Sequence, residues 1–172
     1  KEKIKDIITI IAPRHIDKVN KIKSLCEKFN LKTEILNKDQ SISKGKEIII
    51  INTFGILQDY FNMAKSVFIG KSTLKKFKNN GGQNPIDAAK LGCKIYHGPY
   101  VYNFEDIYKF LKANNVSKEI QNFDELGENI VKDFESPVQK DNHIYNLINK
   151  LGDETFKKTM KDINKFLSNG IH

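Results

Sequence analysis

Short, solidly apolar runs alternate with amphipathic stretches along the first two-thirds of the chain. Asp6 to Ala12 is almost unbroken isoleucine, the pattern of a parallel strand buried on both faces. A helix follows with the stripe Val19, Ile22, Leu25, Cys26 and Phe29, and Asp17 is placed to cap it. Lys32 to Leu36 predicts a second strand and Glu47 to Ile51 a third. Ile56 to Ala64 predicts a short helix, and Ser66 to Ile69 a strand. A Lys/Asn/Gly-rich loop from Gly70 to Gln83 leads to a helix at Pro85 to Leu91, a strand at Lys94 to His97 and a helix at Glu105 to Ala113.

After Asn114 the strand signal weakens to a short piece at Glu119 to Gln121. Helical segments then follow at Phe123 to Lys132, Asn142 to Leu151 and Asp153 to Leu167, with a break at Ser136-Pro137. The fold class expected is α/β: a Rossmann-like, doubly wound parallel sheet with right-handed crossovers and extra C-terminal helices. Residues 1–135 are expected to form that domain, with the helices of 136–172 packing on it.

The chain of 172 residues suffices for one domain with its own core. No apolar run reaches the ~20 residues of a membrane span, and no signal peptide is visible. The chain opens on Lys1 with an amphipathic pattern already under way by Ile4, as expected of a cut inside a longer protein. The net charge is +8, but it comes from lysines scattered along exposed helix faces. Arg14 is the only arginine, whereas base readout and backbone tracking call for clustered arginine with interleaved aromatics, which weighs against nucleic acid. Cys26 on a helix stripe and Cys93 at a strand entry suit buried thiols in a reducing compartment. His15, His97, His143 and His172 show no metal-ligand spacing, which argues against a zinc motif.

In open α/β sheets ligands bind beyond the carboxyl ends of the strands, and the unusual residues of this chain gather there. Pro13-Arg14-His15 follows the first strand and Asn52-Thr53-Phe54-Gly55-Ile56 the third. Gly70-Lys71-Ser72-Thr73 opens the loop that ends in Gly81-Gly82-Gln83-Asn84-Pro85, and Gly98-Pro99-Tyr100-Val101-Tyr102-Asn103-Phe104 follows the strand ending at His97. Arg14 carries a planar fork that pairs two phosphate oxygens at once. Asn84-Pro85 is a helix start, with Asn capping and Pro at the first position. Gly81-Gly82 would let backbone come close to a ligand, and the helix start favours an anion. Asp87 serves either the helix dipole or ribose hydroxyls, and Asn103 is placed to cap the helix from Glu105.

Taken together and in order, these motifs resemble the C-terminal half of the 3-deoxy-D-manno-octulosonic acid (Kdo) transferases. That family shows P-R-H after a strand, then D-T-x-G-E-L, V-G-G-S-L, G-G-H-N-x-L-E and G-P-x-x-x-N-F. The match runs from about Ile7 to Lys112. The resemblance implies a GT-B glycosyltransferase, of which this chain is the donor-binding half, moving Kdo from CMP-Kdo to the lipid A precursor at the cytoplasmic face of the inner membrane. It implies that Pro13 and Arg14 meet the CMP phosphate and that Phe54, Gly55 and Ile56 wall the nucleotide. Asn84, Pro85, Ile86 and Asp87 would cradle phosphate and ribose, with Ser72, Gln83 and Asn103 as additional contacts. It implies no cofactor and no metal, only the donor substrate. The general base would belong to the family's N-terminal half, with which the final helix is expected to pack, so this chain alone is expected not to transfer sugar.

The chain departs from the family pattern at Gln83 (His), Asp87 (Glu), Ile56 (Glu), Asn52 (Asp) and Lys71 (Gly). Lys71 either adds a phosphate contact or faces solvent. Other readings stay open: a nucleotide-sugar transferase or epimerase of the same architecture using UDP, a non-catalytic basic module binding nucleic acid or anionic lipid, and a transferase that has lost activity.

Overall fold

The structure, a computed structural model, describes residues 7–136 and 142–169. The chain forms two compact units, Lys1–Met63 and Ala64–His172, each with its own three-stranded sheet. The strands pair in parallel within each unit, as expected of a doubly wound α/β chain; periodicity identifies strands, but it does not identify their partners.

In the first unit β1 (Thr9–Ile11), α1 (Val19–Lys28), β2 (Thr33–Leu36), β3 (Ile48–Ile51) and α2 (Leu57–Met63) follow in turn. The sheet order is β1-β3-β2, all parallel. Central β3 consists of four buried isoleucines, and the pleat sends them alternately to opposite faces. Ile48 and Ile50 pack with Val19, Ile22 and Cys26 of α1, while Ile49 and Ile51 pack with Leu36, Ile10, Ile56 and Tyr60 of α2. Both faces are covered, which is why the run carries no polar alternation.

Two local expectations need correction. Of the strand expected at Asp6 to Ala12, Asp6 lies outside the described residues and the ladder starts only at Thr9, opposite Ile48, where β3 itself begins. Asp17 does not cap α1. A 3-10 turn at Ile16–Lys18 leads into the helix, and the cap position, Lys18, makes no side-chain bond.

The second unit holds β4 (Ser66–Ile69), α3 (Ile86–Lys90), β5 (Lys94–His97), α4 (Glu105–Ala113), β6 (Ser117–Glu119), α5 (Phe123–Glu135) and α6 (Asn142–Asn169). Its sheet order is β4-β5-β6, again parallel. Ile95, Leu111, Cys93, Ala88 and Ala89 are almost wholly buried at its centre. β6 lies two residues earlier than the pattern suggests. Asn115, in the left-handed region (φ 58°), ends α4 and turns the chain so that Ser117 pairs with Ile95.

The helices expected at Asn142 to Leu151 and Asp153 to Leu167 are one helix of 28 residues. Gly152 weakens a helix by only ~1 kcal/mol and does not break this one; the Thr155 hydroxyl donates back to the Leu151 carbonyl across it. At 100° per residue the apolar face of α6 turns by about 120° between Ile144-Ile148-Leu151 and Phe156-Met160-Ile163-Leu167. Ile148 is buried, and Leu151 and the largely exposed Phe156 line a cavity with Ile86 and Phe110, but Ile163, Phe166 and Leu167 are exposed. No helix among the described residues is long and apolar enough to cross a membrane.

One polar clamp fastens α5 to the sheet: Asp133 Oδ2 accepts hydrogen bonds from Ser66 Oγ (2.6 Å) and Tyr96 OH (2.7 Å). Burial first, then this bond, pushes the Tyr96 phenol upward, so it stays a donor. Asp133→Ala leaves both hydroxyls without their acceptor and is expected to cost about 1–3 kcal/mol in urea denaturation. Asp133→Asn, which keeps one acceptor oxygen, should lose less.

Candidate functional site

In the first unit, β1 and β3 are adjacent and parallel, so Pro13-Arg14 and the Asn52–Ile56 turn leave the same sheet edge. Arg14 is exposed and makes no hydrogen bond or ion pair with any described residue. Phe54 is 69% exposed. Gly55 has φ +87°, with open space where a Cβ would project, so its need is conformational rather than steric. Ile56 is half-buried and packs inward on the Leu36–Ile49–Ile51 cluster. Asn52 donates its amide to Asn37 Oδ1 at 2.7 Å, while its backbone N–H reaches Leu36 O, tying the ends of β2 and β3 together. This edge therefore offers an unengaged guanidinium and an exposed aromatic ring.

In the second unit the loops after β4 and β5 are laced together. Ser72 is fully buried; its hydroxyl donates to Ile69 O (2.6 Å) and accepts from Gly98 N–H (2.9 Å), and its carbonyl accepts from Tyr100 N–H (2.9 Å). The hydroxyl is engaged inside the protein, where it clamps the two loops together. Gly81 and Gly98 are steric necessities: a Cβ on Gly81 would overlap the Tyr100 carbonyl oxygen, and one on Gly98 the Ser72 carbonyl oxygen. The close approach expected of Gly81-Gly82 is thus to the chain itself.

Asn103 does not cap α4. Its backbone N–H donates to Gly81 O and its side-chain amide to Asn80 O (3.1 Å), and the cap position, Phe104, has no side-chain bond. The lacing takes the side chain that the helix would otherwise have used. Gln83 is half-buried, and its carbonyl accepts from Tyr108 OH at 2.9 Å. Asn84 Oδ1 accepts from Ile86 N–H at 3.0 Å, and Pro85 O from Ala89 N–H, as expected of an Asn-Pro helix start. α3 is assigned from Ile86, one residue later, a difference within ordinary end ambiguity. Pro85 is fully buried, Ile86 half-buried, and Asn84 and Asp87 are exposed.

Two further residues stand at this edge: Lys71, whose role was open between a phosphate contact and solvent, and His97, which had none assigned. Lys71 stands in the left-handed region (φ 57°), where the family motif has glycine, and its carbonyl accepts from Gly82 N–H at 2.9 Å. His97, at the end of β5, is 3% exposed. Its Nδ1–H donates to Gly98 O (2.8 Å), its ring tilts on Tyr108 at 4.4 Å between centroids, and Nε2 is buried without a partner among the described residues. The sequence signal was its place directly before Gly98-Pro99. Burial, aided weakly by Lys112, holds its pKa below the usual histidine range against the Gly98 bond and Glu119.

No family model matches this chain. Similar proteins include a Kdo transferase of Rickettsia typhi, 32% identical over 126 residues, which covers 73% of this chain and 26% of that protein. The Kdo transferase of Aquifex aeolicus is 26% identical over 117 residues, 68% of this chain and 31% of that protein. A bifunctional glycosyltransferase/methyltransferase of Fusobacterium nucleatum is 27% identical over 127 residues, 73% of this chain and 19% of that protein. This chain therefore spans a third or less of the length of these relatives. Among solved structures, the C-terminal CMP-Kdo binding domain of WaaA from Acinetobacter baumannii matches with a TM-score of 0.66 at 21% identity, covering 74% of this chain and 64% of that one.

The laced loops generate two expectations. Gly98→Ala forces a Cβ onto the Ser72 carbonyl and should cost about 1–3 kcal/mol in thermal melting, as overpacking does. For His97 the folded pKa lies below the unfolded value of about 6.5. Between the two the unfolded chain binds more protons, so stability should be full above about pH 7 and fall as pH drops through that window. Denaturation at stepped pH should show this slope, and His97→Asn, which keeps a donor for Gly98, should flatten it.

The chain is homologous over 73% of its length to a segment of the Kdo transferases, and it has the fold of the C-terminal domain solved in WaaA.

Proposed function

We propose that this chain is the donor-binding domain of a glycosyltransferase that moves Kdo from CMP-Kdo to the lipid A precursor in lipopolysaccharide biosynthesis, at the cytoplasmic face of the inner membrane. The observation that carries the reading is the coincidence of two facts. The chain is similar over 126 residues to a Kdo transferase, and Arg14, in the Pro13-Arg14-His15 motif, is exposed with no partner among the described residues. An arginine fork with nothing to pair to is suited to bidentate capture of a phosphate.

In this reading Pro13 and Arg14 meet the nucleotide phosphate, and Phe54 and Gly55 wall the base with Ile56 supporting from below. Asn84, Pro85, Ile86 and Asp87 take phosphate and ribose, with Gln83 beside them. Ser72 and Asn103 serve indirectly, by holding the loops. The donor is the only small molecule required, and no cofactor takes part. The acceptor and the general base belong to the N-terminal half of the GT-B architecture. The exposed Phe156-Met160-Ile163-Leu167 stripe of α6 is suited to packing against that half, because contiguous apolar surface of this kind marks an interface.

Calorimetric titration tests the reading. The complete natural protein is expected to bind CMP in preference to UDP. Arg14→Ala should weaken CMP binding by about ten- to a hundredfold, the value of a charge-assisted hydrogen bond. Arg14→Lys should recover only part, since an ammonium cannot reproduce the fork. The melting temperature should hardly move in either variant, because an exposed charge contributes little to folding. Equal affinity in all three proteins, or a preference for UDP, would remove the reading.

A further inference from the structure

We infer that Lys71, which shares the Phe77 ring with Lys76, is an anion-binding residue of this chain that contacts the phosphate of the nucleotide donor. The inference rests on the donor-binding reading above and chooses between the two roles left open for Lys71, at a position where the family motif has glycine.

Two independent observations lead to it. The first is conformational. Lys71 holds φ 57°, a left-handed conformation in which a Cβ crowds the backbone and which glycine adopts without penalty. The position is locked, because the Lys71 carbonyl accepts the Gly82 N–H at 2.9 Å and so joins the start of the loop to the turn that enters Asn84. A strained lysine where glycine would relieve the strain points to a use for its side chain.

The second observation is electrostatic. Lys71 Nζ lies 5.7 Å and Lys76 Nζ 5.1 Å from the centroid of the same Phe77 ring. Neither ammonium makes an ion pair with an acidic group among the described residues. Two like charges drawn to one ring repel each other, and the ring's negative face offsets that only in part. An anion near both relieves the repulsion. The backbone that carries the ring lies against the laced loops, since the Phe77 carbonyl abuts Gly81. The pair therefore belongs to the loop that runs from the end of β4 into α3, on the carboxyl edge where nucleotide phosphates bind in α/β sheets.

The test combines affinity and stability in the complete natural protein, with CMP and cytidine as probes. Lys71→Met removes the charge but keeps a Cβ, and should weaken CMP binding about three- to tenfold. It should leave cytidine binding, which involves no phosphate, unchanged. Lys71→Arg keeps the charge and should bind CMP within about twofold of wild type. Lys71→Gly should lose as much CMP affinity as Lys71→Met while melting about 2–4 °C higher, because the strain is gone. A Lys71→Met protein that binds CMP as tightly as wild type, while Arg14→Ala binds it weakly, overturns this inference and leaves the donor reading intact. Equal losses for CMP and cytidine also overturn it, because they mark a structural role. Failure of the wild-type protein to bind CMP overturns the donor reading and this inference with it.

Discussion

The second unit depends on one buried hydroxyl. Ser72 Oγ receives the Gly98 N–H while donating to Ile69 O, so a single side chain closes the end of β4 onto the end of β5. Inside a protein such a bond has no water to compete with it, and its loss would strand a buried donor. The approach this bond enforces is so close that glycine is required at 81 and 98. The same approach aligns Asn103 with Gly81 and Asn80, and Tyr108 with the Gln83 carbonyl. The exposed Asn84 and Asp87 at the start of α3 are held in place by residues that are themselves out of solvent.

The two units divide the physical work differently. In the first, β3 is buried on both faces by α1 and α2, so its edge is rigid because of apolar packing. There Gly55 and Arg14 stay uncommitted: the glycine has empty space around it, and the guanidinium has no partner among the described residues. In the second, the strand ends are rigid because of hydrogen bonds between loops, and most polar groups there are already spent. An edge built by packing leaves its side chains free for a ligand, whereas an edge built by lacing keeps only those that point outward. Lys71 is strained in its backbone, and its ammonium, near the Phe77 ring, makes no ion pair among the described residues.

α6 shows a third constraint. A straight helix presents one face to one neighbour, and this helix turns its apolar stripe by about 120° past Gly152. The first part rests on its own unit, as Ile148 does, while Ile163 and Leu167 farther along are exposed. The exposure of Ile163 and Leu167 follows from that geometry and not from any weakness of the helix.

Local order along this chain was determined by the sequence alone. The strands at Ser66–Ile69 and Lys94–His97 and the helix at Glu105–Ala113 lie where the apolar runs and turn residues place them, because each is specified by neighbours within a few residues. The unusual residues also stand at the strand ends, as their spacing implies. Tertiary structure alone decided which strands pair, that Asp17 and Asn103 would not cap, and that α6 would run unbroken. It also decided the roles of Ser72, Gly81, Gly98 and His97. The Ser72–Gly98 bond spans 26 residues of sequence and the Asn103–Asn80 bond 23. Whether a hydroxyl or an amide serves a ligand, a helix end or a distant loop depends on which partner the fold brings within about 3 Å, and no local pattern of polar and apolar positions encodes that distance.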